Sequence, residues 1–261
     1  MDILKKCDGL PLAIKVIGGL LSTRYPSELE WKAVLKRPAW SVSGLPEQLD
    51  NRLYLSYEDL SPQLKQCFLY CSLFPKGTEI VRNVITPMWI SEGFIQPLGA
   101  SSSLHDGYGG LEDIAIQYYR ELINRNLIEP TEGAVVYQCT MHDMVRTFAE
   151  FMAREDSLVV QDRKLAAGGD SSNDNYPVRR MSVGPSTLVP EWAVLPKQDS
   201  LRTLIITNCK INFEPNDSSL TGFSRLKVLS IQGRDCDRLV GSLSQLRHLR
   251  YILVLRSNKY I

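Results

Sequence analysis

The sequence predicts a mainly α-helical fold that ends in repeating strand units. Apolar residues recur at helical spacing in several segments before residue 125, for example at Leu12, Val16 and Leu20. After residue 200, a six-residue leucine frame occurs three times, and internal repeats are strong evidence of architecture. Between these regions, two short apolar runs predict a small β-hairpin.

The first 46 residues predict a helical unit and a connector. Pro11 suits the first turn of a helix that runs to about residue 22, because proline has no amide hydrogen to leave unbonded there. A second helical piece surrounds Trp31. Ser, Gly and Pro at 41–46 then indicate a boundary between domains.

Four further helices are expected between residues 47 and 125. Their segments are 47–60, 61–74, 81–92 and 111–125. Ser61 is a plausible N-cap and Pro62 a plausible first helical residue, so we expect the chain to restart a helix there.

The period then changes from helical to alternating. Residues 127–129 and 135–139, separated by a turn at 132–133, predict the two strands of a hairpin, and Met144 and Phe148 restart helical spacing. Several helices followed by a small hairpin are typical of a winged-helix domain. The polar run 168–175 predicts a loop or linker, because it has too few apolar residues to offset its ordering entropy.

The repeated frame has the form L-x-x-L-x-L. It occupies 201–206, 226–231 and 249–254, at intervals of 25 and 23 residues, which are periods of leucine-rich repeats. Alternate residues of each frame would enter a stacked interior. We expect the start of a leucine-rich solenoid that looks unfinished at residue 261.

Composition excludes some classes of protein. With 44% hydrophobic and 23% charged residues and a net charge of +1, wholesale disorder is excluded and no overall attraction to nucleic acid follows. Residues 200–261 do carry ten basic and four acidic side chains, which leaves nucleic-acid binding as a lesser alternative. Scattered cysteines indicate a reducing, intracellular compartment, and no apolar run is long enough for a transmembrane segment.

Motifs for independent catalysis are missing from the sequence. It contains no G-x-S-x-G, H-E-x-x-H or G-x-x-x-x-G-K-[ST] pattern, so we expect no catalytic residues and no enzyme activity. Its three histidines are far apart in sequence, so we expect no metal site. Cys67 and Cys71 share one apolar helix face and are interpreted as packed core thiols.

An ordered set of short motifs resembles a known family. The motifs are Gly-Leu-Pro-Leu-Ala at 9–13, Leu-Ser-Tyr-Glu-Asp-Leu at 55–60, Cys-Phe-Leu-Tyr-Cys-Ser-Leu-Phe-Pro at 67–75, Met-Trp-Ile-Ser-Glu-Gly-Phe-Ile at 88–95, the segment 119–128, and Met-His-Asp at 141–143. Followed by the leucine frame, they resemble plant nucleotide-binding (NB-ARC) leucine-rich-repeat disease resistance proteins, most of all the coiled-coil subgroup.

This resemblance implies a domain organisation. Residues 1–45 would be the tail of the helical ARC1-like part of the NB-ARC region, 46–156 a winged-helix ARC2-like domain, 157–199 a linker, and 200–261 the first leucine-rich repeats. The phosphate-binding loop would lie upstream of Met1, so we expect a carboxy-terminal fragment. The intact family has weak ATPase activity.

The resemblance also implies two nucleotide-binding residues. Pro11 would pack near the adenine, and His142 would contact the β-phosphate of bound ADP. Asp143 is a candidate N-cap of the following helix, which would place His142 where free amides favour an anion. From residue chemistry alone, Pro11 is a helix starter and His142 a polar neighbour of a cap.

The implied function is a switch in plant innate immunity. ADP would hold the winged helix closed and exchange for ATP would release it for defence signalling in the cytoplasm, with peripheral association at the plasma membrane as a variant. Implied partners are a pathogen effector or a guarded host protein, and the nucleotide-binding domain of the same polypeptide. The alternatives are a stand-alone protein-binding scaffold, or a non-functional truncated remnant that binds no nucleotide.

Overall fold

The structure is a computed structural model that describes residues 2–41, 45–46, 49–97, 110–131, 137–160, 178–184, 199–207, 223–233, 243–244 and 246–256. The chain divides into two compact units. The first comprises Met1–Ser72 and Lys76–Phe151, and the second comprises Leu73–Pro75 and Met152–Ile261.

The first unit is built mainly of helices. They are α1 (Asp2–Lys6), α2 (Pro11–Ser22), α3 (Glu28–Leu35), α4 (Asn51–Glu58), α5 (Pro62–Cys71), α6 (Arg82–Glu92), α7 (Leu111–Asn124) and α8 (Asp143–Ala153, of which the last two residues belong to the second unit), with a 3-10 turn at Pro38–Trp40. The predicted helices are confirmed, most with slightly different ends.

Local chemistry explains several helix ends. Pro11 occupies the first turn of α2, and Ser61 caps α5 by accepting a hydrogen bond from the Leu64 amide at 3.3 Å, as predicted. Gly93 ends α6 in the left-handed region, with φ of 90°, where its amide hydrogen-bonds to the Trp89 and Ile90 carbonyls.

A small antiparallel sheet belongs to the same unit. Its strands are β1 (Ile80–Val81), β2 (Glu129–Pro130) and β3 (Gln138–Thr140), in the order β1-β3-β2. The predicted hairpin of β2 and β3 is confirmed, although its strands are shorter than expected and residues 132–136 lie outside the described part. Strand β1 was not predicted, because two residues show no alternation.

Aromatic side chains fill the interior between these helices. Trp89, Tyr119, Phe68 and Phe148 are fully buried, and the Tyr57 ring packs at 5.7 Å, edge to face, against Phe148. The Tyr119 hydroxyl donates to the Ile80 carbonyl at 2.9 Å and so ties α7 to β1. These contacts fix α8 and the sheet to the helices.

The second unit contains a five-stranded parallel sheet. Its strands follow chain order as β4 (Ser157–Val160), β5 (Arg180–Val183), β6 (Thr203–Thr207), β7 (Val228–Gly233) and β8 (Tyr251–Arg256). Equivalent positions of the leucine frame pair across it, Leu204 with Leu229 and Leu229 with Ile252. Leu204 and Leu229 enter one buried core together with Leu201 and Leu226.

The first two strands of this sheet lie where we predicted a linker. Strands β4 and β5 fall within 157–199 and pair in parallel, with Leu158 opposite Met181. Short apolar runs in both strands extend the sheet that the leucine frame continues, and this tertiary pairing outweighs their weak local signal. The polar run 168–175 lies outside the described residues.

Candidate functional site

The start of α8 carries the histidine that the sequence singled out. Strand β3 leads into Met141, and α8 begins at Asp143. The His142 carbonyl accepts the first intrahelical hydrogen bond, from the Arg146 amide at 2.9 Å. His142 therefore occupies the N-cap position, and its side chain is exposed.

The capping residue differs from the prediction. Nδ1 of His142 accepts a hydrogen bond from the Met144 amide at 3.2 Å, so His142 and not Asp143 caps α8. Asp143 is already inside the helix, because the chain enters α8 one residue earlier than expected. A ring nitrogen that accepts carries no proton, so the neutral imidazole bears its hydrogen on Nε2.

Asp143 has a different partner in the structure. Its carboxylate forms an ion pair with Lys76 Nζ at 2.6 Å, and both side chains are more than half exposed. The hydrogen bond from Lys76 lowers the pKa of the Asp143 carboxyl, and the positive charges of Lys76 and Arg146 act in the same direction. The Lys76 ammonium and the His142 imidazole therefore flank this exposed helix start.

A buried arginine anchors the first turn of α8. Nη1 of Arg146 donates to the Ser72 carbonyl at the end of α5 and to Glu150, both at 2.9 Å, and the side chain is 7% exposed. A cation at a helix C-terminus interacts favourably with the helix dipole. This contact sets the position of His142 relative to α5.

Pro11 follows a tight turn after α1. Asp8 and Gly9 both adopt positive φ, of 50° and 69°. The Leu10 amide then donates to the Cys7 carbonyl at 3.0 Å, which closes the turn. Pro11 begins α2 with its ring exposed, whereas Ala13 and Ile17 of the same helix are buried. The turn therefore presents Pro11 at the surface of the first unit.

The middle of α2 packs against the end of α7. A Cβ on Gly19 would lie 2.6 Å from the Cα of Arg125, so only glycine allows this approach. Nδ2 of Asn126 donates to the Lys15 carbonyl at 3.0 Å, and the Lys15 ammonium pairs with Glu129 at 3.2 Å. These contacts hold α2 to the segment that leads into β2.

A polar cleft lies between the end of α1, the start of α4 and the start of α8. Its volume is about 450 Å³, and its lining residues are Lys6, Trp40, Leu49, Asp50, Asn51, Arg52 and Met144. The described lining residues include Met144, which is two positions after His142, and Lys6, which is five positions before Pro11. Pro11 and His142 themselves are not among the described lining residues. The structure therefore brings the neighbours of both predicted residues to one cleft.

Two candidate functional residues, Lys76 and Arg52, were not predicted from the sequence. Lys76 stands directly after the quoted motif at 67–75, and its pairing with Asp143 has no local signal. Arg52 donates to the Cys7 carbonyl at 2.6 Å across 45 residues. Asp50 stands just before a segment with helical apolar spacing. An aspartate in that position is an N-cap signal, which indicates a helix start at this point of the chain.

Two cysteines of α5 lie in the core of the first unit. Cys67 and Cys71 are fully buried and are not joined in a disulfide, as predicted, and burial raises the pKa of the Cys71 thiol. Within the described ranges, no group of three metal-binding side chains lies together. In the same ranges, no helix is both long and apolar enough to cross a bilayer.

The sequence of this chain is similar to those of known proteins. Residues 73–149, which include β1, the hairpin and the start of α8, match the winged-helix domain of disease resistance proteins. A putative disease resistance protein RGA1 of Solanum bulbocastanum is 31% identical over 237 residues, 89% of this chain and 22% of that protein. The chain belongs with the plant disease resistance proteins.

Two further disease resistance proteins, both of Arabidopsis thaliana, show the same relationship. A putative RPP13-like protein 1 is 30% identical over 98% of this chain and 23% of its own length. A probable RPP8-like protein 2 is 30% identical over 96% of this chain and 28% of its own length. The chain thus spans less than a third of the length of these disease resistance relatives, while the similarity covers both of its units.

Proposed function

We propose that this chain acts as part of a nucleotide-dependent switch of plant defence, in which His142 donates a hydrogen bond to the phosphate of ADP. The observation that carries the proposal is the geometry of His142. Its Nδ1 accepts the Met144 amide, so its Nε2–H is free to point away from the helix. Its relatives are disease resistance proteins, which supports a role in defence.

The surroundings of His142 favour an anion. The start of an α-helix presents unbonded amides and the positive end of the helix dipole. The Lys76 ammonium lies beside the first residue of α8, and both Lys76 and His142 are exposed. A phosphate near this point would meet the His142 donor and would share the exposed Lys76 ammonium with the Asp143 carboxylate, without the cost of displacing a buried group.

A switch requires a ligand that binds its two states differently. His142 belongs both to the helix cap and to the proposed ligand contact, so a movement of α8 would change the contact. Pro11, at the entrance of α2, is proposed to pack near the adenine. ADP or ATP would then bridge the two exposed residues.

Titration calorimetry of the purified chain with ADP tests this proposal. His142→Ala removes both the cap and the ring, whereas His142→Asn keeps a side chain that caps helices well. We expect both variants to lose about tenfold in ADP affinity, and only His142→Ala to unfold at a lower urea concentration. Equal affinity of wild-type chain and His142→Asn would refute the contact.

We further propose that the parallel sheet is the start of a leucine-rich-repeat stack that binds protein partners, such as a pathogen effector or a guarded host protein. The support is the register, which pairs equivalent frame positions of β6, β7 and β8. This reading also accommodates a protein-binding scaffold that takes no nucleotide. In that case, the calorimetric titration would give no heat of ADP binding in a folded sample.

A further inference from the structure

The turn that presents Pro11 is held from outside by an arginine of another helix. The Cys7 carbonyl accepts the Leu10 amide at 3.0 Å and Nη1 of Arg52 at 2.6 Å. Cys7 is almost fully buried, with 1% exposure, so its carbonyl belongs to the interior side of the turn. Arg52 Nη1 also lies 3.5 Å from the Lys6 carbonyl oxygen, so the shorter bond to Cys7 is the main link between the turn and the start of α4.

Asp50 fixes the direction of this arginine. One carboxylate oxygen of Asp50 accepts both the Arg52 amide at 2.8 Å, as N-cap of α4, and the Arg52 Nε at 2.6 Å. The Asp50 side chain is 8% exposed and that of Arg52 is 22% exposed. A guanidinium held at Nε has its remaining nitrogens in a fixed plane, so Nη1 is aimed at the Cys7 carbonyl.

The same pair forms one wall of the polar cleft. Asp50, Arg52 and Lys6 line it together with Met144, whose amide donates to Nδ1 of His142. The Asp50–Arg52 pair and the first turn of α8 therefore line the same cleft.

We propose that Arg52, oriented by Asp50, is a positioning residue that sets the Pro11 turn relative to the His142 end of α8. This inference rests on the proposed nucleotide function. Arg52 touches neither Pro11 nor His142. It acts by holding the Cys7 carbonyl, and through it the Leu10 amide directly before Pro11.

Two readouts test the inference in the whole chain. NMR-detected hydrogen exchange of the Leu10 amide, compared with that of Ile17 in the buried part of α2, reports on the turn itself. Calorimetric titration with ADP reports on the ligand. The variants are Arg52→Ala, Arg52→Lys and the matched control Arg37→Ala, which removes an arginine of similar exposure (27%) that pairs with Asp59 instead.

We expect Arg52→Ala to speed Leu10 exchange about tenfold relative to Ile17 and to weaken ADP binding by a similar factor. Arg52→Lys should rescue part of both effects, because an ammonium can reach a carbonyl but has no planar guanidinium that bonds Asp50 and Cys7 at the same time. Arg37→Ala should change neither the exchange rate of Leu10 relative to Ile17 nor the ADP affinity. A merely structural role for Arg52 would lower the unfolding midpoint as Arg37→Ala does and leave the ADP affinity unchanged.

The outcomes separate the inference from the proposed function. Unchanged Leu10 exchange in Arg52→Ala would overturn the inference, whatever the affinity. Faster Leu10 exchange with wild-type ADP affinity, while His142→Asn binds more weakly, would overturn the positioning role and leave the proposed function standing. Wild-type chain that binds no ADP would overturn the proposed function and, with it, the link from Arg52 to a ligand.

Discussion

Asp59 and Arg125 are 66 residues apart in sequence, and they form an ion pair of 3.0 Å at the ends of α4 and α7. Asp59 also accepts from Arg37 at 2.8 Å and from Arg24, so one carboxylate holds three guanidinium groups. The Asp59 side chain is 10% exposed and that of Arg125 is 7% exposed. We call these four residues the Asp59 cluster. It joins α2, α3, α4 and α7 at one point.

Asp59→Asn should destabilise the first unit by about 3 kcal/mol, because removal of the carboxylate leaves buried and half-buried cations without their counter-charge. The urea midpoint of unfolding, followed by tryptophan fluorescence, measures the effect. Asp2→Asn is the control, because the Asp2–Lys5 pair is fully on the surface and such pairs contribute little. Similar midpoints for the two variants would contradict the importance of the cluster.

The Asp59 cluster also predicts a pH dependence. Burial alone would raise the pKa of the Asp59 carboxyl, but hydrogen bonds from Arg125 and Arg37 and the charge of Arg24 bring it below its ordinary value of 3.8. A carboxyl whose pKa is lower in the folded state stabilises the fold above its unfolded pKa. That contribution is lost as the pH falls through the folded pKa.

The free energy of unfolding should therefore decrease more steeply for wild-type chain than for Asp59→Asn between about pH 5 and pH 2.5. Urea titrations at several pH values in this window measure both slopes. Parallel slopes would show that Asp59 titrates with the same pKa in the folded and unfolded chain.

Two neighbouring glycines in α2 provide a matched pair. Alanine favours a helix over glycine by about 1 kcal/mol, and a Cβ on Gly18 meets nothing within 4 Å, so Gly18→Ala should stabilise the chain. Gly19→Ala should destabilise it, because its Cβ would fall 2.6 Å from the Arg125 backbone. Thermal unfolding of the two variants gives the comparison. A rise in melting temperature for Gly19→Ala would contradict the close packing of α2 on α7.

The parallel sheet supplies another matched pair, from one row of the register. Leu229→Ala should destabilise the second unit by about 3 kcal/mol, because Leu229 is fully buried in the core. Ile252 occupies the paired position on β8 but is 41% exposed, so Ile252→Ala should cost less than about 1 kcal/mol. Hydrogen exchange of the β6 amides measures both, and equal effects would argue against a stacked interior.

Local signals predicted much of the fold. Pro11 and Ser61 mark helix starts because their chemistry acts within one turn. The leucine frame predicts strands because its apolar residues alternate, with a period of two residues. The two-residue strand β1 could not be predicted, because its pairing with Cys139 and Gln138 of β3 is a contact between distant segments.

Pro11 and His142 are proposed as site residues from the order of the motifs. The sequence predicts the helix cap at Asp143 and not at His142, because sequence alone does not fix at which of two polar neighbours a helix begins. Arg52 contacts the Cys7 carbonyl, and three arginines contact Asp59. These partners are 22 or more positions apart in sequence, and no local pattern encodes such contacts.

Nitrogen NMR of the histidine rings tests the central claim most directly. The chain has only three histidines, so ¹⁵N-histidine labelling gives few signals, and His142→Asn assigns the one of interest. We predict that His142 carries its proton on Nε2 in the free chain and that saturating ADP shifts this Nε2–H signal, with no matching shift at the other two histidines. A His142 signal that stays unchanged at saturating ADP would contradict the proposed phosphate contact.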